Sequence, residues 1–130
     1  KGASRKFVGD KPIAITETGF PAEQTHLKDF NVTLPGSPQS QAAYIESVLS
    51  AAGRDRYLFV IAFLYQDYDA LWEKIKGSFS GDWAAAWRDC GLVDGAGTKR
   101  PAHEVWRKYF GARYLRGQGA AGKERSSDGE

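Results

Sequence analysis

The sequence predicts an α/β fold, a βαβα unit with parallel strands, and three observations carry that prediction. The first is a short apolar run, Ile13-Ala14-Ile15-Thr16, that delivers Glu17 just before Gly19 and Pro21 break the backbone, as a barrel strand presents a carboxylate at its C-terminal rim. The second is the stretch 38–52, where Tyr44, Ile45, Val48, Leu49 and Ala52 recur at the spacing of one helix face. The third is Tyr57-Leu58-Phe59-Val60-Ile61-Ala62-Phe63-Leu64-Tyr65, which has no polar alternation, the pattern of a parallel strand covered on both faces.

Taken in order, residues 1–11 are basic and polar, with Gly2, Gly9 and Asp10 as turn formers. Pro12 is tolerated at the first position of a strand, which then runs to about residue 17. Gly19, Pro21 and the cluster Pro35-Gly36-Ser37-Pro38 bracket a loop over 18–37, far longer than the usual connection of about 2 to 6 residues, and long loops there carry function. Ser37 can cap the following helix, Pro38 suits its first position and Gly53 stops it. After the second strand, 66–97 is irregular and rich in aromatic and acidic residues, with a short helix over 83–90. Ala102, Val105, Trp106, Tyr109 and Phe110 form one apolar stripe between Pro101 and Gly111, which predicts a last helix. From 116 to 130, Gly, Ser and charges predict a disordered tail, so the domain is placed at 1–115. Two parallel strands cannot cover their own apolar faces, so the run 57–65 needs further strands, from sequence outside this chain or from another copy.

Composition narrows the function classes. With 42% apolar and 13% aromatic residues in 130, there is material for a core. The net charge of +2, with Lys and Arg interleaved among Asp and Glu, argues against nucleic acid as partner. Cys90 alone permits no internal disulfide, and with only His26 and His103 there is no zinc-ligand spacing, so no metal or cofactor is expected. The longest apolar run, 57–65, falls well short of the roughly 20 residues of a membrane-spanning helix, so no membrane partner is expected either. There is no Met, even at position 1, which points to a fragment or a processed chain, and nothing fixes its compartment, although a secreted or periplasmic location fits.

The segment Lys11-Pro12-Ile13-Ala14-Ile15-Thr16-Glu17-Thr18-Gly19-Phe20-Pro21 resembles the strand-seven signature of the retaining glycoside hydrolases built on (β/α)8 TIM barrels, particularly the endo-β-1,3-glucanase and endo-β-1,4-galactanase families. Ser37-Pro38-Gln39-Ser40-Gln41-Ala42-Ala43-Tyr44 resembles their helix seven, and 59–67 their strand eight with its acidic exit. Tyr68-Asp69-Ala70-Leu71-Trp72-Glu73-Lys74 is similar to the Phe-Asp-Glu-Pro-Trp-Lys segment of the glucanases, one residue longer and without its Pro. Cys90-Gly91-Leu92-Val93-Asp94, followed by Gly97-Thr98-Lys99-Arg100-Pro101-Ala102, resembles the closing segment before helix eight. The likeness spans about 11–110. It implies the last quarter of a TIM barrel, with Glu17 as the nucleophile of a retaining double displacement on a β-linked oligosaccharide or polysaccharide. The acid/base Glu of these families follows an Asn at strand four; here the one Asn, Asn31, stands in Phe30-Asn31-Val32 with no Glu after it. The acid/base therefore lies outside this chain, which alone is expected to be inactive.

Retaining hydrolysis needs two carboxyl groups about 5 to 5.5 Å apart, one attacking the anomeric carbon and one protonating the leaving oxygen. Glu17 fits the first role; the plainer reading is a strand-end residue paired with a nearby Lys or Arg. Adjacent strands lie about 4.7 to 4.9 Å apart, so Asp67 is a candidate second acid, a ligand for a substrate hydroxyl or a structural hydrogen-bond acceptor, and Asp69 a loop-fixing residue. Sugars stack their C–H faces on aromatic rings, which makes Phe20, Tyr65, Tyr68 and Trp72 candidate platforms, with loop packing as the alternative. Gln66 is a candidate hydroxyl ligand. Trp83, Trp87 and Trp106 read as packing, His26 as a solvated loop residue, His103 as structural, and Gly95-Ala96-Gly97 as a turn. Two other functions stay open: a noncatalytic carbohydrate-binding or scaffold barrel, and a self-associating half-barrel module.

Overall fold

The computed structural model describes residues 3–111, with side chains from residue 6 onward, so the tail expected over 116–130 lies outside the described residues. The elements are α1 (Ala3–Val8), β1 (Ile15–Thr18), β2 (Thr25–Leu27), β3 (Val32–Leu34), α2 (Pro38–Arg54), β4 (Val60–Ala62), α3 (Asp69–Ile75) and α4 (Pro101–Phe110), with short 3-10 turns at Lys28–Phe30, Lys76–Ser78 and Trp83–Trp87. β1 and β4 pair in parallel, with α2 as the crossover between them, and β2 and β3 form a separate antiparallel pair. None of these helices is long and apolar enough to cross a membrane.

α2 starts where a capping residue precedes Pro38. Ser37 Oγ accepts from the Ser40 amide at 3.1 Å and Ser40 Oγ accepts from the Ser37 amide at 3.0 Å, a reciprocal box that satisfies two otherwise orphaned donors. The helix runs two residues past the expected stop, because Gly53 stays helical. It ends at Arg56 in the left-handed region (φ 55°), with the Tyr57 amide donating to the Ala52 carbonyl at 2.9 Å and the Arg56 amide to the Gly53 carbonyl at 3.3 Å, the Schellman arrangement.

The core lies between α2, β4 and α4, where Ile45, Leu92 and Ala102 are buried and Ala62, Leu49, Val105 and Trp106 pack around them. Within the apolar run Leu58, Phe59 and Ile61 stay exposed. Pairing outruns the formal strand ends: the Leu58 amide donates to the Ile13 carbonyl at 2.7 Å, Ile15 to Phe59 at 3.0 Å and Phe63 to Thr18 at 2.7 Å. Beyond a cis peptide at Phe63-Leu64, the exit of β4 bonds to 92–93 through Leu92 to Leu64 at 3.0 Å, Val93 to Tyr65 at 2.9 Å and Asp67 to Val93 at 3.0 Å.

Three segments differ from the sequence reading. Residues 3–8 are helical rather than turns. The loop over 18–37 contains the hairpin β2–β3, with His26 opposite Thr33 and their Nδ1 and Oγ1 atoms 2.9 Å apart; Asn31 at φ 49° supplies the left-handed turn residue that an extended-loop reading overlooked. The irregular stretch after β4 holds α3, whose Leu71, Trp72 and Ile75 sit at helical spacing without a capping side chain, and the helix expected over 83–90 is a 3-10 turn.

Candidate functional site

The end of β1 carries a feature that periodicity could not foresee. Between the paired positions Ile15↔Val60 and Thr18↔Ala62, β1 holds one residue more than β4, a bulge that falls on Thr16 and Glu17. A regular strand turns successive side chains to opposite faces; here Thr16 and Glu17 are both exposed and Thr18 is buried. Bulges re-aim side chains in this way. Among the described residues Glu17 has no ion pair and no hydrogen-bonded side-chain partner, so the Lys or Arg of the plainer reading is not at its side.

The backbone beyond Glu17 is held from the helix side. Thr18 Oγ1 lies 2.8 Å from the Tyr44 hydroxyl on α2, and the Phe20 ring stacks on Tyr44 with centroids 5.1 Å apart. Gly19 runs so close beneath β4 that a Cβ there would collide with the Phe63 carbonyl oxygen. Gln41, fully buried one turn before Tyr44, donates through Nε2 to the carbonyls of Phe20 at 3.1 Å, Cys90 at 3.2 Å and Gly91 at 3.0 Å. The Ala22 amide donates to Asp89 at 2.8 Å, so the loop leaving β1 and the segment 89–91 are joined.

At the exit of β4, Asp67 is locked into the fold. Its side chain is 1% exposed; Oδ2 meets Arg100 Nη2 at 2.6 Å and Oδ1 accepts from the Gly91 amide at 2.6 Å. Arg100 also donates to the Gly91 carbonyl at 2.7 Å. Burial pushes the Asp67 carboxyl up, against the pull of the Arg100 guanidinium and the Gly91 amide. Both Asp67 oxygens are thus engaged by the fold itself.

The remaining candidates are dispersed. The Phe20 ring is stacked on Tyr44. Gln66 is exposed. Tyr65 is exposed beside His103, centroids 6.2 Å apart, and lines an apolar groove of about 480 Å³ with Ile61, Ala62, Trp106 and Phe110 between β4 and α4. Trp72 walls a separate polar cleft of about 220 Å³ with Glu23, Asp69, Glu73, Arg88 and Asp89, and its ring stacks on Phe79, 6.0 Å away. Phe79, Trp83 and Trp87 continue that row, with Trp83 and Trp87 partly exposed. Groove and cleft share no lining residue, and Glu17 lines neither. Tyr68 is half-buried, and burial raises its phenol.

Carboxylate oxygens of Asp67, Asp69 and Asp89 come within 4.8 Å of one another, a spacing a cation could use. Arg100 on Asp67 and Arg88 on Asp89, with Nη2 2.6 Å from Oδ2, already supply positive charge there. Arg88 is itself held more firmly protonated by Asp89. Behind this cluster, burial and the neighbouring carboxylates push the Cys90 thiol up to about 12. The unfolded thiol ionises near its usual value of about 8.5, so the unfolded state sheds its proton first and stability falls as pH rises from there towards 12. Native protein at pH 9 should therefore resist iodoacetamide at Cys90, while urea-unfolded protein reacts at the rate of a free thiol; equal rates would contradict the burial argument.

Sequence reasoning missed Gln41, Tyr44, Arg88 and Arg100. Gln41 and Tyr44 share the helix face of Ile45, which signalled burial; nothing near Arg88 or Arg100 in sequence announces their carboxylate partners. Compared with protein-family models, with curated proteins and with solved structures, the chain matches none.

Proposed function

We propose that this chain is the strand-seven to helix-eight part of a retaining glycoside hydrolase, with Glu17 as nucleophile and the acid/base Glu supplied by strands outside these residues. The observation that carries the reading is the bulge at the end of β1, which turns a carboxylate without a bonded partner outward from a parallel strand, next to a Thr18 that is held by Tyr44. In this reading a Glu17 oxygen attacks the anomeric carbon of a β-linked sugar as the leaving oxygen takes a proton from the second acid, and water then releases the sugar. The exposed apolar residues Leu58, Phe59 and Ile61 and the groove beside α4 are where the remaining strands and helices of a TIM barrel would pack.

The cleft at Trp72 supports a sugar ligand, because an aromatic wall stands beside fixed hydrogen-bonding groups. Its four carboxylates against one guanidinium favour neutral sugars, whose hydroxyls donate, over uronic acids, which would be repelled.

Labelling tests the assignment. In the full-length protein a 2-deoxy-2-fluoroglycosyl fluoride should modify Glu17, the carboxylate oxygen bonding to the anomeric carbon as fluoride leaves. Modification of another carboxylate, or none, refutes the nucleophile.

A second reading, self-association, is favoured by the same exposed apolar residues. It requires a stable oligomer of this chain at micromolar concentration in sedimentation, and a monomer there removes it.

A further inference from the structure

We infer that Tyr44 is a positioning residue for Glu17, an inference that rests on the nucleophile reading above. A bulge interrupts the ladder, so the bulged residues themselves are weakly held by β4. Glu17 has no bonded side-chain partner among the described residues to fix its carboxylate. What determines its direction is therefore the backbone on its C-terminal side, and Tyr44 grips that backbone twice. Its hydroxyl is 2.8 Å from Oγ1 of Thr18, the next residue, which is 8% exposed; its ring stacks 5.1 Å from Phe20, two residues further. The grip is rigid because Tyr44 stands on α2 one turn after Gln41, whose amide binds the Phe20 carbonyl and the segment 90–91. A nucleophile must meet the anomeric carbon at near-attack distance, and a displacement of about 1 Å costs about 10²-fold in rate. The Thr18–Tyr44 bond sets that distance without touching substrate.

The readout is the labelling of Glu17 in the full-length protein by the 2-deoxy-2-fluoroglycosyl fluoride. Fluoride leaves without acid assistance, so the rate reports the nucleophile alone. Tyr44→Phe keeps the ring stack and removes the hydroxyl; the first-order labelling constant should fall by about tenfold or more, with the inhibitor's dissociation constant within about twofold of wild type. Thr18→Val with Tyr44→Phe removes both partners of the half-buried bond, so Thr18 is not left with an unpaired hydroxyl and the thermal midpoint should return towards wild type while labelling stays slow. Unchanged labelling in Tyr44→Phe overturns the inference, as does a double variant that regains midpoint and rate together, the mark of a purely structural bond. If wild type itself is not labelled at Glu17, the nucleophile reading has failed and this inference falls with it.

Discussion

On the proposed nucleophile role, Glu17→Gln in the full-length protein is expected to lower glycoside turnover by about 10⁴-fold or more while the urea unfolding midpoint stays at wild type. The size follows from the role: the amide cannot form the glycosyl ester, and the step has no other nucleophile on this strand. The unchanged midpoint follows from the structure, since Glu17 is exposed and no described hydrogen bond or ion pair depends on its side chain. A loss of both rate and stability would instead make Glu17 a structural residue of the bulge. Turnover kept within about tenfold of wild type would remove it from the chemistry altogether.

Asp67→Asn is expected to destabilise by about 3 to 5 kcal/mol in urea unfolding, the largest effect on stability in the described fold. The Arg100 side chain it faces is only 9% exposed, so neutralising Asp67 leaves a buried guanidinium without a counter-charge. The Gly91 amide keeps an acceptor in Asn, which isolates the ionic part of the loss. Arg100→Met should be similarly costly, because it leaves the buried Asp67 carboxylate without its counter-charge, while the Gly91 carbonyl keeps the Gln41 amide as donor. The double variant Asp67→Asn/Arg100→Met should lose clearly less than the sum of the two, since the second change no longer abandons a buried charge. Additive losses would mean that the two residues stabilise independently despite their 2.6 Å contact.

These two carboxylates show how unevenly the site could be read. Asp67 and Glu17 look alike in sequence, each an acid at the end of an apolar run before a break. Their environments part them: one is turned out by an inserted residue, the other is drawn under by an arginine 33 positions later in the chain. The aromatic candidates divide the same way. Phe20 lies against Tyr44, Tyr65 beside His103 and Trp72 on Phe79, three locations that no local pattern separates.

The sequence by itself determined what depends on near neighbours along the chain. Ser37 and Pro38 start α2, Pro101 and Gly111 bound α4, and the repeat of apolar residues at helical spacing selects the faces that bury Ile45 and Ala102. Capping, turn chemistry and amphipathic spacing act over one or two helical turns, so they are legible without coordinates. Only the tertiary structure decided the register of β1 on β4, the hairpin inside the long loop, and the partners of Gln41, Asp67 and Cys90. Those choices depend on desolvation and close packing between segments tens of residues apart, where a carboxylate is stabilised or strained by groups that leave no mark on the residues beside it.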